Sequence, residues 1–194
     1  MCEYENIQKL DVNPEPENNS GEFQAIKLHK CKGFNSTKIV VNCYRSPSRN
    51  PESFISLLEK FVHNLSRHSK KHVILAGGFN CDLIKHDNNI VYQNLINTMS
   101  QCGFLQIISR PTRITDNSAT LIDHVYTNDV ENTLSCNIIT TDISDHLGTL
   151  TTISLDGSLG AKISMQPKHD KNANREYRIF NESNNQKFKE LIDS

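Results

Sequence analysis

The sequence predicts an α/β fold built around a mixed β-sheet. Short apolar stretches bounded by turn residues alternate with two longer stretches whose apolar residues recur at three- and four-residue spacing. The later apolar stretches follow one another with no helical spacing between them, which favours a mixed sheet over a purely parallel one. A chain of 194 residues has the right length for one domain with tails.

The stretch from His72 to Asn80 forms the centre of the predicted sheet. Its first five residues are mostly apolar, and Gly77-Gly78 follows them, which favours a strand that ends in a tight turn. This turn delivers Asn80 to the carboxyl end of the strand. Ligands of open α/β sheets bind at that edge, so the sequence predicts a site there.

Composition and charge narrow the class of protein. The chain carries 21 Lys and Arg residues against 22 Asp and Glu residues, so any basic footprint for nucleic acid must be local. The six cysteines show no C-x-x-C or zinc-ligand spacing, and the N-terminus lacks a signal segment. We therefore expect reduced thiols in an intracellular protein. No apolar run approaches the roughly 20 residues that a membrane span needs.

An arm, two strands and a helix precede the central strand. Residues 1–21 are polar and rich in turn residues, which is typical of a loose arm. Phe23–Leu28 is a weak strand, and Lys38–Tyr44 is a stronger one with a β-branched centre. Asn50-Pro51 supplies a cap and a first-turn proline for a helix. The apolar stripe of this helix should face the core and consists of Phe54, Leu57, Leu58, Phe61, Val62 and Leu65.

A second helix should follow the central strand over Ile90–Cys102, with Gly103 as its stop. Phe104–Ile108 is a further short strand, and Arg110–Arg113 is a rigid polar loop. The remaining predicted strands are Thr120–Tyr126, Cys136–Thr140 and Leu147–Leu155. From residue 157 the composition becomes that of a polar linker with the start of one more helix. The sequence thus predicts an arm over residues 1–21, a domain over 22–156 and a linker over 157–194.

Three polar clusters fall at predicted strand ends: Asn80 with Asp82, Asp123-His124, and Ser144-Asp145-His146. A histidine oriented by a carboxylate can donate to a phosphate oxygen, and spare carboxylates can hold Mg²⁺. The clusters therefore suit metal-assisted phosphoryl hydrolysis. A loop end or a capping contact explains a single Asp-His pair more simply. Tyr44-Arg45 suits a phosphate contact, and an exposed strand end explains it equally well.

The order of these clusters resembles the endonuclease/exonuclease/phosphatase family, and above all the endonuclease domain of non-LTR (LINE-like) retrotransposons. The resemblance extends from Phe23 to Leu155 and is carried by Tyr44-Arg45, Gly77-x-Phe79-Asn80, Pro111-Thr112-Arg113, Ile122-Asp123-His124 and Ser144-Asp145-His146. It implies a sandwich of two mixed β-sheets with outer helices. It also implies a Mg²⁺-dependent enzyme that cleaves DNA, joined in its parent element to a reverse-transcriptase region.

The resemblance further implies roles for individual residues. His146 would polarise the scissile phosphate, and Asp123 would orient the ring of His146. Asn80 would position the phosphate and the attacking water, and Asp145 would help to hold the metal. The implied substrate contacts come from Tyr44, Arg45, Thr112 and Arg113.

Two departures from the family pattern argue against full activity. The family has an aspartate that activates the water at the position of Gly78, and loss of a general base costs about 10²- to 10⁴-fold in rate. Upstream of Phe23, the sequence has no counterpart of the strands that carry the family's asparagine and metal-binding glutamate. We therefore expect a domain that is incomplete at its N-terminus and in which Mg²⁺ binding is weakened.

These observations lead to one main prediction and two alternatives. The main prediction is a truncated, retrotransposon-derived endonuclease-like domain with little or no cleavage activity. One alternative is an enzyme with residual Mg²⁺-dependent nuclease or phosphodiesterase activity. The other is a non-catalytic module that binds nucleic acid. In each case a protein that acts on DNA would be nuclear.

Overall fold

The computed structural model describes residues 7–10, 20–28, 37–66, 72–140 and 144–154. The predicted linker after residue 157 therefore lies outside the described residues. The strands are β1 Ile7–Leu10, β2 Glu22–Leu28, β3 Lys38–Tyr44, β4 His72–Gly78, β5 Leu105–Gln106, β6 Arg113–Thr115, β7 Ser118–Thr120, β8 Asp123–Thr127, β9 Thr133–Ile139 and β10 Gly148–Ile153. The helices are α1 Pro51–Ser66 and α2 Ile90–Gln101, and two 3₁₀ segments cover Leu83–Asn88 and Val130–Asn132.

The main sheet has six strands in the order β1-β2-β3-β4-β8-β5. β3 and β4 are parallel, whereas every other neighbouring pair in this sheet is antiparallel. β9 with β10, and β6 with β7, form two small antiparallel sheets. The predicted mixed sheet and α/β class are therefore confirmed, and the architecture is sandwich-like.

Helix α1 covers the core as its sequence predicted. Asn50 caps it, because its Oδ1 accepts a hydrogen bond of 2.9 Å from the Ser53 amide. All six residues of the predicted stripe are buried. Phe54 meets Phe79 edge to face with ring centroids 5.6 Å apart, which fastens the helix to the end of the central strand.

Helix α2 begins and ends where its sequence signals lie. The Asn89 side chain accepts from the amides of Val91 and Tyr92, and Cys102 caps the other end. Gly103 has a φ of 79°, the left-handed conformation that lets a chain leave a helix at low cost.

Neither helix in the described ranges is long and apolar enough to cross a membrane. Four cysteines among these residues are free thiols, at positions 43, 81, 102 and 136.

Three elements differ from the sequence prediction. The arm predicted for residues 1–21 contains β1, which pairs with the edge of β2. The loop predicted at Arg110–Arg113 leads into the hairpin β6–β7. The strand predicted at Phe104–Ile108 shrinks to Leu105–Gln106. Whether these segments form strands depends on hydrogen bonding to a neighbouring strand. Short exposed strands such as β6 lack the alternation of apolar and polar residues from which a strand is predicted.

A buried ion pair closes the end of the main sheet where β3 and β4 begin. Lys38 Nζ lies 2.8 Å from Asp129 Oδ2, with both side chains nearly inaccessible. The Oδ1 atom of Asp129 accepts a hydrogen bond of 2.7 Å from the Asn132 side-chain amide. His72 Nδ1 lies 2.7 Å from the same Oδ1. Although burial opposes the charge, the Lys38 ammonium holds the pKa of Asp129 below its ordinary value. The contact ties β3 to the loop before β9.

Candidate active site

The opposite end of β4 forms a turn that only glycine permits. Gly77 has a φ of 145°, and a Cβ at this position would lie 1.9 Å from the carbonyl oxygen of Cys43. The backbones of β3 and β4 therefore approach too closely for any side chain. Asn80 then adopts a φ of 53°, the left-handed region that asparagine tolerates better than most residues. The turn brings Asn80 to the carboxyl edge of the sheet, as predicted.

Arg45 braces this turn from β3. Its Nε donates to the carbonyl of Phe79 at 2.8 Å, and its two terminal nitrogens donate to the carbonyls of Asn80, Ser46 and Arg49. In turn, the side-chain amide of Asn80 donates a hydrogen bond of 2.6 Å to the backbone carbonyl of Arg45. The Arg45 side chain is buried, so these contacts indicate a structural role at the site instead of the phosphate contact expected from the sequence.

The imidazole of His146 meets the carboxylate of Asp123 at this edge. The Nδ1 to Oδ2 distance is 2.8 Å, with the two side chains 42% and 24% exposed. Such a bond orients the ring and fixes which of its nitrogens carries the proton. Asn80 is linked to the same edge, because its backbone N–H donates to the carbonyl of Ile122, the residue directly before Asp123. The structure thus brings together three residues that the sequence predicted as catalytic.

Gly78 lies in the row of residues that crosses the sheet at the site. It is paired with Tyr44 of β3 on one side and with Asp123 of β8 on the other. A Cβ built on Gly78 would lie 3.5 Å from the Tyr44 ring and 3.6 Å from Asp123 Oδ1, both ordinary contact distances. A Cβ at position 78 would therefore fit between Tyr44 and Asp123, beside the His146–Asp123 pair. Tyr44 is exposed and borders this space.

Thr112 supports the site from beneath. Its hydroxyl accepts hydrogen bonds from the amides of Ile122 and Asp123 at 3.2 and 3.0 Å, and the residue is fully buried. Its own carbonyl accepts from the amide of Leu147 at 2.7 Å. Thr112 therefore holds the backbones on both sides of the His146–Asp123 bond. Its burial gives it this supporting role in place of the substrate contact expected from the sequence.

Arg113 pairs with Asp145 on the rim of the site. The Nε to Oδ2 distance is 2.6 Å, and the side chains are 44% and 42% exposed. The hydrogen bond from Arg113 holds the pKa of Asp145 below its ordinary value. The residue predicted to hold a metal and one predicted to contact substrate thus contact each other. Sequence spacing contains no signal for this pair, because the two residues lie 32 positions apart.

His124 belongs to the core and not to the site. It is fully buried, its ring stacks on Phe79 with centroids 4.7 Å apart, and Nε2 lies 2.9 Å from the Cys81 carbonyl. Burial lowers its pKa from 6.5 to about 4, so the ring is neutral at physiological pH. Asp82 is likewise structural, because its Oδ1 accepts from the amides of Ile84 and Leu121.

The donor set of the described residues does not fit a divalent cation. Mg²⁺ needs several oxygen ligands around one point, with one or two carboxylates among them. Asp123 already contacts His146 through Oδ2, and Asp145 contacts Arg113 through Oδ2. Within the described ranges, no three His, Cys, Asp or Glu residues form a group that could hold a metal ion.

Comparison with known proteins places this geometry in a family. A family model described as endonuclease-reverse transcriptase matches residues 39–150. Comparison with curated protein sequences gives no match. Among solved structures, the endonuclease domain of TRAS1, a telomere-specific non-LTR retrotransposon, superposes with a TM-score of 0.61 at 14% identity, over 78% of this chain and 68% of that domain.

More distant folds superpose less well. The human Nocturnin catalytic domain gives a TM-score of 0.49 at 15% identity, over 76% of this chain and 59% of that one. TDP2 of D. rerio, complexed with single-strand DNA product, gives 0.49 at 11% identity, over 75% and 66%. The chain therefore spans about two thirds or less of the lengths of these structures. The family match covers most of the central sheet and every residue of the site, so the chain belongs to the endonuclease-reverse transcriptase family and has an endonuclease/exonuclease/phosphatase-type fold.

Proposed function

We propose that this chain is a retrotransposon-type endonuclease-like domain that binds the phosphodiester backbone of DNA and cleaves it weakly or not at all. The observation that carries the proposal is the His146–Asp123 pair at 2.8 Å, which faces a glycine across the sheet. A pair of this kind can bind and polarise a phosphate. Hydrolysis requires in addition a group that activates water.

The proposed binding step uses residues at the edge of the main sheet. His146 donates from Nε2 to a phosphate oxygen, while Asp123 holds its Nδ1. The exposed Tyr44 hydroxyl is a second donor beside the same space. Asn80 lies at the turn between them and is held there by Arg45. We propose that it helps to position the phosphate.

Gly78 is the proposed cause of weak hydrolysis. The carboxylate beside position 78, Asp123, already accepts a hydrogen bond from His146 through its Oδ2. A missing general base costs about 10²- to 10⁴-fold in rate. Substrate binding does not need this group, so binding should survive where cleavage does not.

Plasmid nicking tests the proposal with the substitution Gly78→Asp, because the structure has room for the new side chain. In buffer with Mg²⁺, the family's implied cofactor, we expect wild-type nicking near background. Gly78→Asp should raise it, though by less than about 10²-fold, because the described residues lack a cluster of metal ligands. Gly78→Asn is the matched control, since it fills the same space with an amide that cannot act as a base.

A second substitution separates genuine cleavage from contamination. Adding His146→Ala to Gly78→Asp should return nicking to background. Strong wild-type nicking that disappears in His146→Ala would show that Gly78 does not impair the enzyme. Equal nicking by the Asp and Asn variants would show that the new carboxylate does not act as a base.

Binding without cleavage is tested by a mobility shift with duplex DNA. Phosphate contacts make such binding strongest at low salt. A shift that weakens steeply as salt rises supports the proposal, and no shift at low salt contradicts it. The same proposal implies a nuclear location if the protein acts on DNA. It also implies a parent element with a reverse-transcriptase region, for which the family match is the support.

A further inference from the structure

The exposed ion pair between Arg113 and Asp145 joins two backbone segments that are themselves paired. Two backbone hydrogen bonds flank it, from Ile114 to the Asp145 carbonyl at 3.0 Å and from Leu147 to the Thr112 carbonyl at 2.7 Å. Arg113 and His146 themselves form an isolated antiparallel bridge. The first residue of β6 is therefore paired directly with the segment that carries Asp145 and His146. This backbone pairing keeps the guanidinium and the carboxylate within reach of each other.

This pairing alters the electrostatics of the site. A full positive charge lies 2.6 Å from the carboxylate that the family resemblance assigns to the metal. A divalent cation that bound Asp145 would have to displace the guanidinium or remain beside it, and the like charges repel. Asp123, the other carboxylate of the site, is held by His146.

The guanidinium keeps donors for a second anion. Arginine has five N–H groups in a planar fork, and the bond to Asp145 uses the one on Nε. The terminal nitrogens of Arg113 donate to none of the described residues. Their fork suits two oxygens of a phosphate, and the backbone bridge sets Arg113 opposite His146.

We propose that Arg113 is the fixed counter-cation of Asp145 and that, together with His146, it binds a nucleic-acid phosphate without a divalent metal ion. The inference rests on the proposed function, since it concerns how the same site holds a phosphodiester. It differs from the family's implied mode of binding, in which Asp145 serves a metal. Arg113 is then a phosphate-binding residue that also positions the His146 loop.

Binding of a labelled DNA duplex, measured by fluorescence anisotropy, is the first arm of the test. The wild-type protein should bind with equal affinity in EDTA and in millimolar Mg²⁺. Arg113→Ala should weaken binding by about tenfold and lower the slope of log affinity against log salt by about 1. Arg110→Ala is the matched control, because it removes the same charge from an exposed residue of the same loop. Equal losses in the two variants would overturn the proposal.

Titration with Mn²⁺, followed by electron paramagnetic resonance, is the second arm and needs no DNA. The wild-type protein should bind Mn²⁺ weakly, and Arg113→Ala should bind it about threefold to tenfold more tightly, as expected for loss of an exposed ion pair. Asp145→Asn in the Arg113→Ala background should cancel that gain. A tight wild-type Mn²⁺ site that Asp145→Asn removes would overturn the proposal.

The two arms distinguish the failure of this inference from failure of the proposed function. If the wild-type protein binds no DNA in either buffer, the result contradicts both the proposed function and the phosphate-binding role of Arg113. If Arg113→Ala binds DNA as tightly as the wild type, the result contradicts phosphate binding by Arg113 but leaves the proposed function standing. Arg113→Gln, which keeps a polar side chain of similar length, should reproduce the loss in binding with an unchanged melting temperature if charge and not folding is responsible.

Discussion

At the scale of single residues, the chain contains two Asp-His pairs that look alike in sequence and differ in the structure. Asp123 and His124 are neighbours in β8, so their side chains point to opposite faces of the sheet. Asp123 turns to the site, and His124 turns into the core beside Phe79. His146, in a loop, has no such constraint and can reach back to Asp123. Sequence proximity alone would pair Asp123 with His124, whereas the family resemblance assigned it to His146, its partner in the structure.

The burial of His124 predicts a pH dependence of stability. Its pKa is about 4 in the folded chain against 6.5 when exposed, so between these values the unfolded chain binds more protons. Stability from the neutral ring is full above pH 6.5 and is lost as pH falls toward 4. The free energy of unfolding should drop by about 2 kcal/mol between pH 7 and pH 5 from this group alone.

Chemical denaturation of His124→Gln measures that contribution. The glutamine amide can still donate to the Cys81 carbonyl but cannot take up a proton. The variant should be less stable at pH 7 and should lose much less stability on going to pH 5. An identical pH dependence in the two proteins would show that His124 is not the titrating group.

At the scale of elements, the hairpin β6–β7 and the residue before it decide the geometry of the site. Thr112 anchors one side of the hairpin under β8, and Arg113 and Ile114 anchor the loop of His146 to the other. The sequence predicted only a rigid polar loop here. Because both strands of the hairpin are short and mostly exposed, they lack the alternating apolar pattern by which longer strands are recognised.

Thr112→Val should damage both stability and binding. Valine has the same shape but leaves the buried amides of Ile122 and Asp123 without an acceptor, which costs about 1–3 kcal/mol. DNA affinity should fall as well, because Asp123 loses its support below His146. Thr112→Ser keeps the hydroxyl and should stay close to wild type in thermal denaturation and anisotropy. Equal behaviour of the two variants would contradict the role given to the hydroxyl.

At the scale of the whole molecule, the two ends of the main sheet have different tasks. The end that carries Tyr44, Gly78 and Asp123 is open to solvent and forms the site. The other end is closed by the buried Lys38–Asp129 pair, which joins residues 91 positions apart. Polar groups thus gather at both ends, one set at the proposed binding site and the other in a buried ion pair.

Lys38→Met should destabilise the fold without affecting the site. It leaves the Asp129 carboxylate buried without its cation, which costs about 3 kcal/mol. Adding Asp129→Asn should recover part of this loss, because the buried charge is removed. Lys85→Met, which removes the exposed ammonium that lies 3.4 Å from Asp82, is the control and should cost less than about 1 kcal/mol. Urea denaturation gives the comparison, and equal losses for Lys38→Met and Lys85→Met would contradict it.

The sequence by itself determined the α/β class, both helices with the Asn50 cap and the Gly103 stop, the central strand with its glycine turn, and the residues that gather at the turn. These features follow from local periodicity, capping and turn chemistry, which a chain carries in neighbouring residues. Only the tertiary structure decided the strand β1, the hairpin β6–β7, the burial of Arg45, Thr112 and His124, and the pairing of Arg113 with Asp145. Those outcomes depend on which distant segment lies alongside, and no local pattern records the partner of a polar side chain.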